Sequence, residues 1–220
     1  MADSPGALPL KLACGGAIAG SVGDLLMLWA ANAQRPELAL PAPGPLVLWT
    51  GGLLGVLGIP LYAAGYRAVS QAARAAPRGI ARLIFRAGAG AAGLGALIHG
   101  LTAALIHTDL RAETPGRPPL DAVAGWGPGL IALWAIATLL VLAASAGVLR
   151  ASFSRDALPR RCGWLNPAFA TLALAAAGAG SELGRAFLVP AAPNLAHLLF
   201  FGAALSTLRA PTPAPAARQR

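Results

Sequence analysis

Six ionisable side chains interrupt long apolar runs in this chain: Asp24, His99, His107, Glu182, Arg185 and His197, with Asn194 as a polar neighbour. An ionisable group inside a lipid-length helix costs at least about 2.5 kcal/mol to insert and normally faces the protein interior. Depth along each helix follows from the residues that separate it from the nearest basic anchor. Asp24 stands 13 residues after Lys11 and His99 13 after Arg86, about 20 Å at the helical rise. His197 stands 12 before Arg209, about 18 Å. Three groups from three helices therefore fall near one plane, with Glu182 and Asn194 about a turn farther along. Two imidazoles and a carboxylate at one depth can share protons. They also suit Zn²⁺ with an open coordination position, Glu182 serving as a further ligand or base.

Three uses of this set follow. The first is a paired cluster in which Asp24 accepts a hydrogen bond from His99 or His197 and fixes helix register. The second is a lined cavity for a proton, an ion or a small solute. The third is a metal-dependent intramembrane hydrolase of a lipid amide or ester, with Asp24, His99 and His197 as ligands. Hydrolases of the alkaline-ceramidase and adiponectin-receptor type use a comparable set, but the HxxxH pair of that type has no counterpart on a late helix here. No cofactor is firmly implied, and no catalytic residue is assigned. Glu182 and Arg185 are three apart on one helix, the spacing of an ordinary ion pair. His107, beside Thr108 and Asp109, reads as an interfacial residue.

The elements that must position these groups are helices. Of 220 residues, 56% are hydrophobic and only 11% charged, against about 25% charged in a soluble domain. The expected architecture is all-α, a polytopic transmembrane bundle of six spans. They are drawn at Leu10–Ala33, Pro45–Tyr66, Leu83–His107, Gly127–Leu149, Trp164–Leu188 and Asn194–Leu208. Pro, Arg and acidic residues fill the breaks, as in PELALPAPGP (36–45), TDLRAETPGRPPLDA (108–122) and SRDALPRRCG (154–163). A short segment, 1–9, precedes the bundle of 10–209, and the Pro-rich tail 210–220 is expected to be disordered.

The net charge of +9 does not point to nucleic acid, because the basic residues lie between apolar spans rather than in one stripe among aromatics. They read as topology signals. Thirteen of 17 fall on one side of the drawn bundle, including Lys11, Arg67, Arg74, Arg78, Arg82, Arg86, Arg150, Arg160 and Arg161. That side is cytoplasmic by the positive-inside rule, which places both termini in the cytoplasm of a bacterial cell, with membrane lipids as partners. Trp29, Trp49 and Trp126 then mark the outer interface and Trp164 the inner one. A cleaved signal peptide ending at Ala31-Asn32-Ala33 is disfavoured, since its apolar core would be too long and would contain Asp24. Cys14 and Cys162 both fall at cytoplasmic helix ends, where a disulfide is not expected.

Small residues recur on helix faces: Gly16, Gly20 and Asp24; Gly51, Gly55, Gly58, Tyr62 and Tyr66; Gly88, Ala92, Gly95, His99 and Thr102. Such faces let backbones approach closely and point into a bundle. Gly88–Gly93 matches GxGxxG, but within an apolar helix it reads as packing. The pieces GDLLML (23–28), GIPLYAAGYRAVSQAAR (58–74), ALIHG (96–100), LNPAF (165–169) and PNLAHLLFF (193–201), in that order, resemble a family of uncharacterised bacterial six-span membrane proteins. The resemblance implies a six-span bundle and places Asp24, His99, Asn194 and His197 inside recurrent motifs. It implies no activity.

Overall fold

The computed structural model describes residues 7–33, 35–111, 127–153 and 157–208, and among them the only regular structure is helix. The sequence readings for the N-terminal residues 1–6, Trp126, most of 108–122, Arg155 and the tail fall outside the described residues. Eight α-helices follow in order: α1 Ala7–Asn32, α2 Pro45–Gly58, α3 Tyr62–Ala72, α4 Arg78–Arg111, α5 Gly127–Phe153, α6 Arg160–Trp164, α7 Pro167–Ala179 and α8 Val189–Leu208. Five helical stretches are long and apolar enough to cross a membrane: Ala7–Asn32, Pro45–Ala75, Arg78–Thr108, Gly129–Phe153 and Gly184–Leu208.

The second stretch joins α2 to α3 through a 3-10 turn at Ile59–Leu61. Pro60 lacks the N–H that would continue the α-helical ladder, and the tighter turn lets the chain continue in nearly the same direction. Along this stretch Gly51, Gly55 and Gly58 meet Gly16, Gly20 and Gly23 of α1. A methyl group on Gly23 would lie 2.6 Å from the Gly51 carbonyl, and one on Gly58 would lie 2.8 Å from that of Gly16. The seam is therefore backbone against backbone, as the small-residue faces imply.

The fifth drawn run differs. Trp164–Leu188 is not one helix. Asn166 caps α7, its side chain accepting from the N–H groups of Ala168 and Phe169 at 3.1 and 3.2 Å, with Pro167 in the first turn. The helix stops at Ala179, and 13 residues span about 20 Å, short of the about 30 Å of a hydrocarbon core. The chain turns at Gly180 and Ser181, whose hydroxyl accepts from the Gly184 N–H. It then runs through a π-helical stretch, Gly184–Leu188, directly into α8. The drawn break at residues 189–193 is thus the interior of a helix. Pro190 and Pro193 do not end it. Pro190 has no N–H for the carbonyl of Ala186 four residues back, and the Asn32 side chain of α1 donates to that carbonyl instead, at 3.3 Å.

One large core cluster fills one end of the bundle. It gathers Leu10, Tyr66, Val69, Ala73, Ile84, Val148, Ala151, Leu158, Cys162, Phe200 and Phe201, among others. Because it takes in the start of α1, the α3–α4 turn, the end of α5 and α6, the exposed Arg67, Arg74, Arg78, Arg82, Arg86, Arg160 and Arg161 ring this same end. The other end holds two smaller clusters, one around Met27, Leu48 and Ala103 and one around Ile98, Leu130 and Ala137.

Candidate functional site

Between these clusters lies a cavity of about 690 Å³, within the range of small-molecule sites. Its back wall is α1, through Asp24, Met27 and Ala31; its sides are α4 with α5 and α7 with α8. α5 packs on α4, and α7 packs on α8. Near the packed end the Ser145 hydroxyl of α5 accepts from the Ala168 N–H of α7 at 3.2 Å. Farther along, exposed side chains of both helices line the cavity: Trp134, Thr138 and Leu142 of α5 and Leu172 of α7.

The polar groups form two linked sets on the inner wall. In the first, Asn194 of α8 donates to Oδ2 of Asp24 at 2.7 Å and accepts from the Tyr62 hydroxyl at 2.8 Å. Oδ1 of Asp24 lies 3.4 Å from Nδ1 of His99. The far ring nitrogen of His99 contacts the Gly51 carbonyl at 3.1 Å. That carbonyl can only accept, so Nε2 carries a hydrogen. At that distance the contact is electrostatic rather than a hydrogen bond, and it is attractive when one further hydrogen sits on the imidazole or on the carboxyl. In either of those states Asp24 and His99 together carry no net charge.

In the second set His197 uses both ring nitrogens. Nδ1 donates to the Pro193 carbonyl at 2.7 Å, and Nε2 meets the Tyr66 hydroxyl at 3.0 Å. Its ring stacks on Tyr62 with centroids 4.7 Å apart, which joins the two sets. Among the described residues no acidic side chain lies within ion-pairing distance of His197. A buried imidazolium without a counter-ion costs several kcal/mol, so His197 is neutral with its hydrogen on Nδ1, and Tyr66 donates to it.

Asp24, His99, Asn194 and His197 therefore line one cavity. Asp24 pairs with His99 and Asn194, not with His197. Glu182 does not join them: it is exposed and is not part of the cavity wall. Arg185 does reach the wall, yet its guanidinium donates to the Ala179 carbonyl at 3.0 Å and forms no ion pair with Glu182 among the described residues. His107 lies outside the site and packs against Trp49, centroids 5.0 Å apart. The sequence reading passed over Tyr62 and Tyr66 as site residues. Their signal was present, since both continue the Gly51–Gly55–Gly58 face.

For zinc the donor set is a poor fit as arranged. His99 and His197 each have both ring nitrogens engaged, and among the described residues no three His, Cys, Asp or Glu side chains gather. A three-ligand centre would require Nε2 of His197 to give up Tyr66, while its Nδ1–H bond to the Pro193 carbonyl could stay. Compared with known proteins, the chain matches no family model, no curated protein and no solved structure.

Proposed function

We propose that this chain is a six-span protein of the bacterial cytoplasmic membrane, both termini cytoplasmic, that takes a lipid-like amphipathic molecule into its cavity. The polar part of that molecule rests against Asp24, His99 and Asn194. In this reading the short α7 makes the sixth crossing together with the residues that flank it, with the arginine-ringed packed end in the cytoplasm. One observation carries the proposal. The polar cluster stands on the wall of an otherwise mostly apolar cavity whose mouth, between α5 and α7, opens sideways. In a bilayer a sideways mouth faces acyl chains. A cluster that served only to fix helix register would be sealed, whereas the Asp24 side chain keeps 13% of its surface accessible beside the cavity. An uncharged Asp24–His99 pair suits such a wall, since it offers hydrogen bonds without placing a net charge next to lipid.

The test is mass spectrometry of molecules retained by detergent-purified protein, comparing wild type with Ala137→Trp. Ala137 lines the cavity and is buried, so an indole there occupies ligand space. Near-stoichiometric lipid in wild type, lost in a folded Ala137→Trp variant, is the expected result. Wild type that retains no lipid and takes up none when it is added contradicts the reading.

A further inference from the structure

Resting on that reading, we infer that the ligand is a monoanionic amphiphile, with its acidic group at Arg185 and a neutral hydrogen-bonding group deeper, at Asp24 and His99. The charges of the cavity wall lead there. In this inference the Asp24–His99 pair, 3.4 Å apart, carries its one further hydrogen and is neutral, and His197 is neutral with both nitrogens engaged. Glu182 lies off the wall. Among the described lining residues Arg185 is thus the one uncompensated charge, so the cavity carries a net charge of about +1, and a guanidinium is always protonated.

Geometry makes this arginine a binding group. One of its nitrogens, Nη1, is held by the Ala179 carbonyl at the C-terminal end of α7, where the helix dipole favours a cation. Arg185 is exposed where it lines the cavity, and its remaining N–H groups have no acidic partner among the described residues. A planar guanidinium with donors to spare matches carboxylate or phosphate oxygens. Arg185 precedes Asn194 by nine residues on one continuous helical stretch, so the two polar stations are separated by roughly 13 Å along it. Between them the wall presents Val189 and Pro190. The ligand that satisfies both stations carries an oxyanion, then an apolar interval, then an ester, amide or hydroxyl. Oxyanion chemistry is common to carboxylates and phosphates, and the probes below separate them.

Binding to the delipidated full chain in detergent is measured with four probes: stearate (an anion alone), methyl 12-hydroxystearate (the hydroxyl without the anion), 12-hydroxystearate (a carboxylate and a hydroxyl with an apolar run between them) and 12-hydroxyoctadecyl phosphate (the same spacing with a phosphate). 12-Hydroxystearate or its phosphate counterpart is expected to bind at least tenfold tighter than the methyl ester, and the tighter of the two assigns the oxyanion. Arg185→Gln should remove that advantage, and Arg185→Lys should restore part of it. If stearate shows the same Arg185 dependence and matches 12-hydroxystearate, the anion station stands and the deeper one is overturned. Equal affinity for the methyl ester and both anionic hydroxylated probes, or an Arg185→Gln variant that binds like wild type, overturns the anion assignment while leaving a lipid cavity. Failure of all four probes overturns this inference and the cavity reading together.

Discussion

The two ends of this bundle are built from the same residue types and behave as opposites. At the packed end Tyr66, Phe200 and Phe201 are fully buried and interlock with His197, with ring centroids 5.2 to 6.0 Å apart. At the cavity end His99 and Asp24 have packed neighbours on one side and open space on the other. Each end seats its ring against a glycine. Gly88 admits the ring of Tyr66, and Gly55 admits that of His99. The difference lies in what can give way. A ring at the packed end has nowhere to go, whereas one at the cavity end can swing into space, so one end supplies stability and the other leaves room for a ligand.

The largest expected effect follows from that pair of glycines. A methyl group at either position would fall on the ring it faces, but Gly88→Ala should cost about 1–3 kcal/mol or prevent folding. Gly55→Ala should cost clearly less while displacing His99 and weakening lipid binding. Thermal denaturation in detergent measures both. Labelling of Cys162 by maleimide, in a Cys14→Ser background, reports the packed end directly. Burial pushes the Cys162 thiol above its usual pKa, which keeps the reactive thiolate scarce at neutral pH until that end opens. Equal losses from the two substitutions would erase the distinction between the ends.

The tyrosines sharpen it next. Tyr66→Phe leaves Nε2 of the buried His197 without its donor, a loss of about 1–3 kcal/mol. Tyr62→Phe frees an Asn194 oxygen that borders the cavity, and the cost should stay below about 1 kcal/mol. Chemical denaturation of the two variants in parallel would show a reversed order if the ends were misassigned.

Asp24→Asn asks about the shared hydrogen. An asparagine amide can donate to Nδ1 of His99 while its oxygen accepts from Asn194, so stability should change by less than about 1 kcal/mol and ligand affinity by only a few-fold. Asp24→Ala, which supplies neither bond, should lose affinity tenfold or more. Were Asp24→Asn as damaging as Asp24→Ala, the pair would need its negative charge, and the neutral-pair account would be wrong. The smallest effects belong to the buried hydroxyls of Ser152 and Ser21, which have no partner among the described residues. Replacing either with alanine should be neutral or stabilising by up to about 1 kcal/mol, as melting temperatures would register.

Much of this was legible from the chain. Apolar run length drew the first four spans close to the helices found, because hydrocarbon thickness dictates length. Counting from basic anchors put Asp24, His99 and His197 near one plane with Asn194 about a turn farther, because the helical rise is fixed, and all four line the cavity. The junction of the last two runs was misdrawn for a physical reason. Two prolines read as a break, but Asn32, distant in sequence, supplies the hydrogen bond that Pro190 cannot. A second error concerns Glu182: the fifth run was drawn as one helix, whereas the chain turns at Gly180 and Ser181 and leaves Glu182 exposed. Tyr62 and Tyr66 escaped notice because a search for charge passes over neutral phenols. The size and lining of the cavity had no sequence signal, since they arise from how several helices pack and not from any one of them.

The measurement that bears most directly on the central claim is photo-crosslinking with a 12-hydroxystearate carrying a diazirine in its chain, read out by peptide mapping. A ligand held in the cavity is expected to label the mouth and the inner wall, at Trp134, Leu142, Leu172 and Val189, and to lose that labelling in Ala137→Trp. Labels confined to outward-facing residues such as Leu53, Leu57 and Leu97, unchanged by Ala137→Trp, would mean that lipid touches only the outside of the bundle and that the cavity binds none.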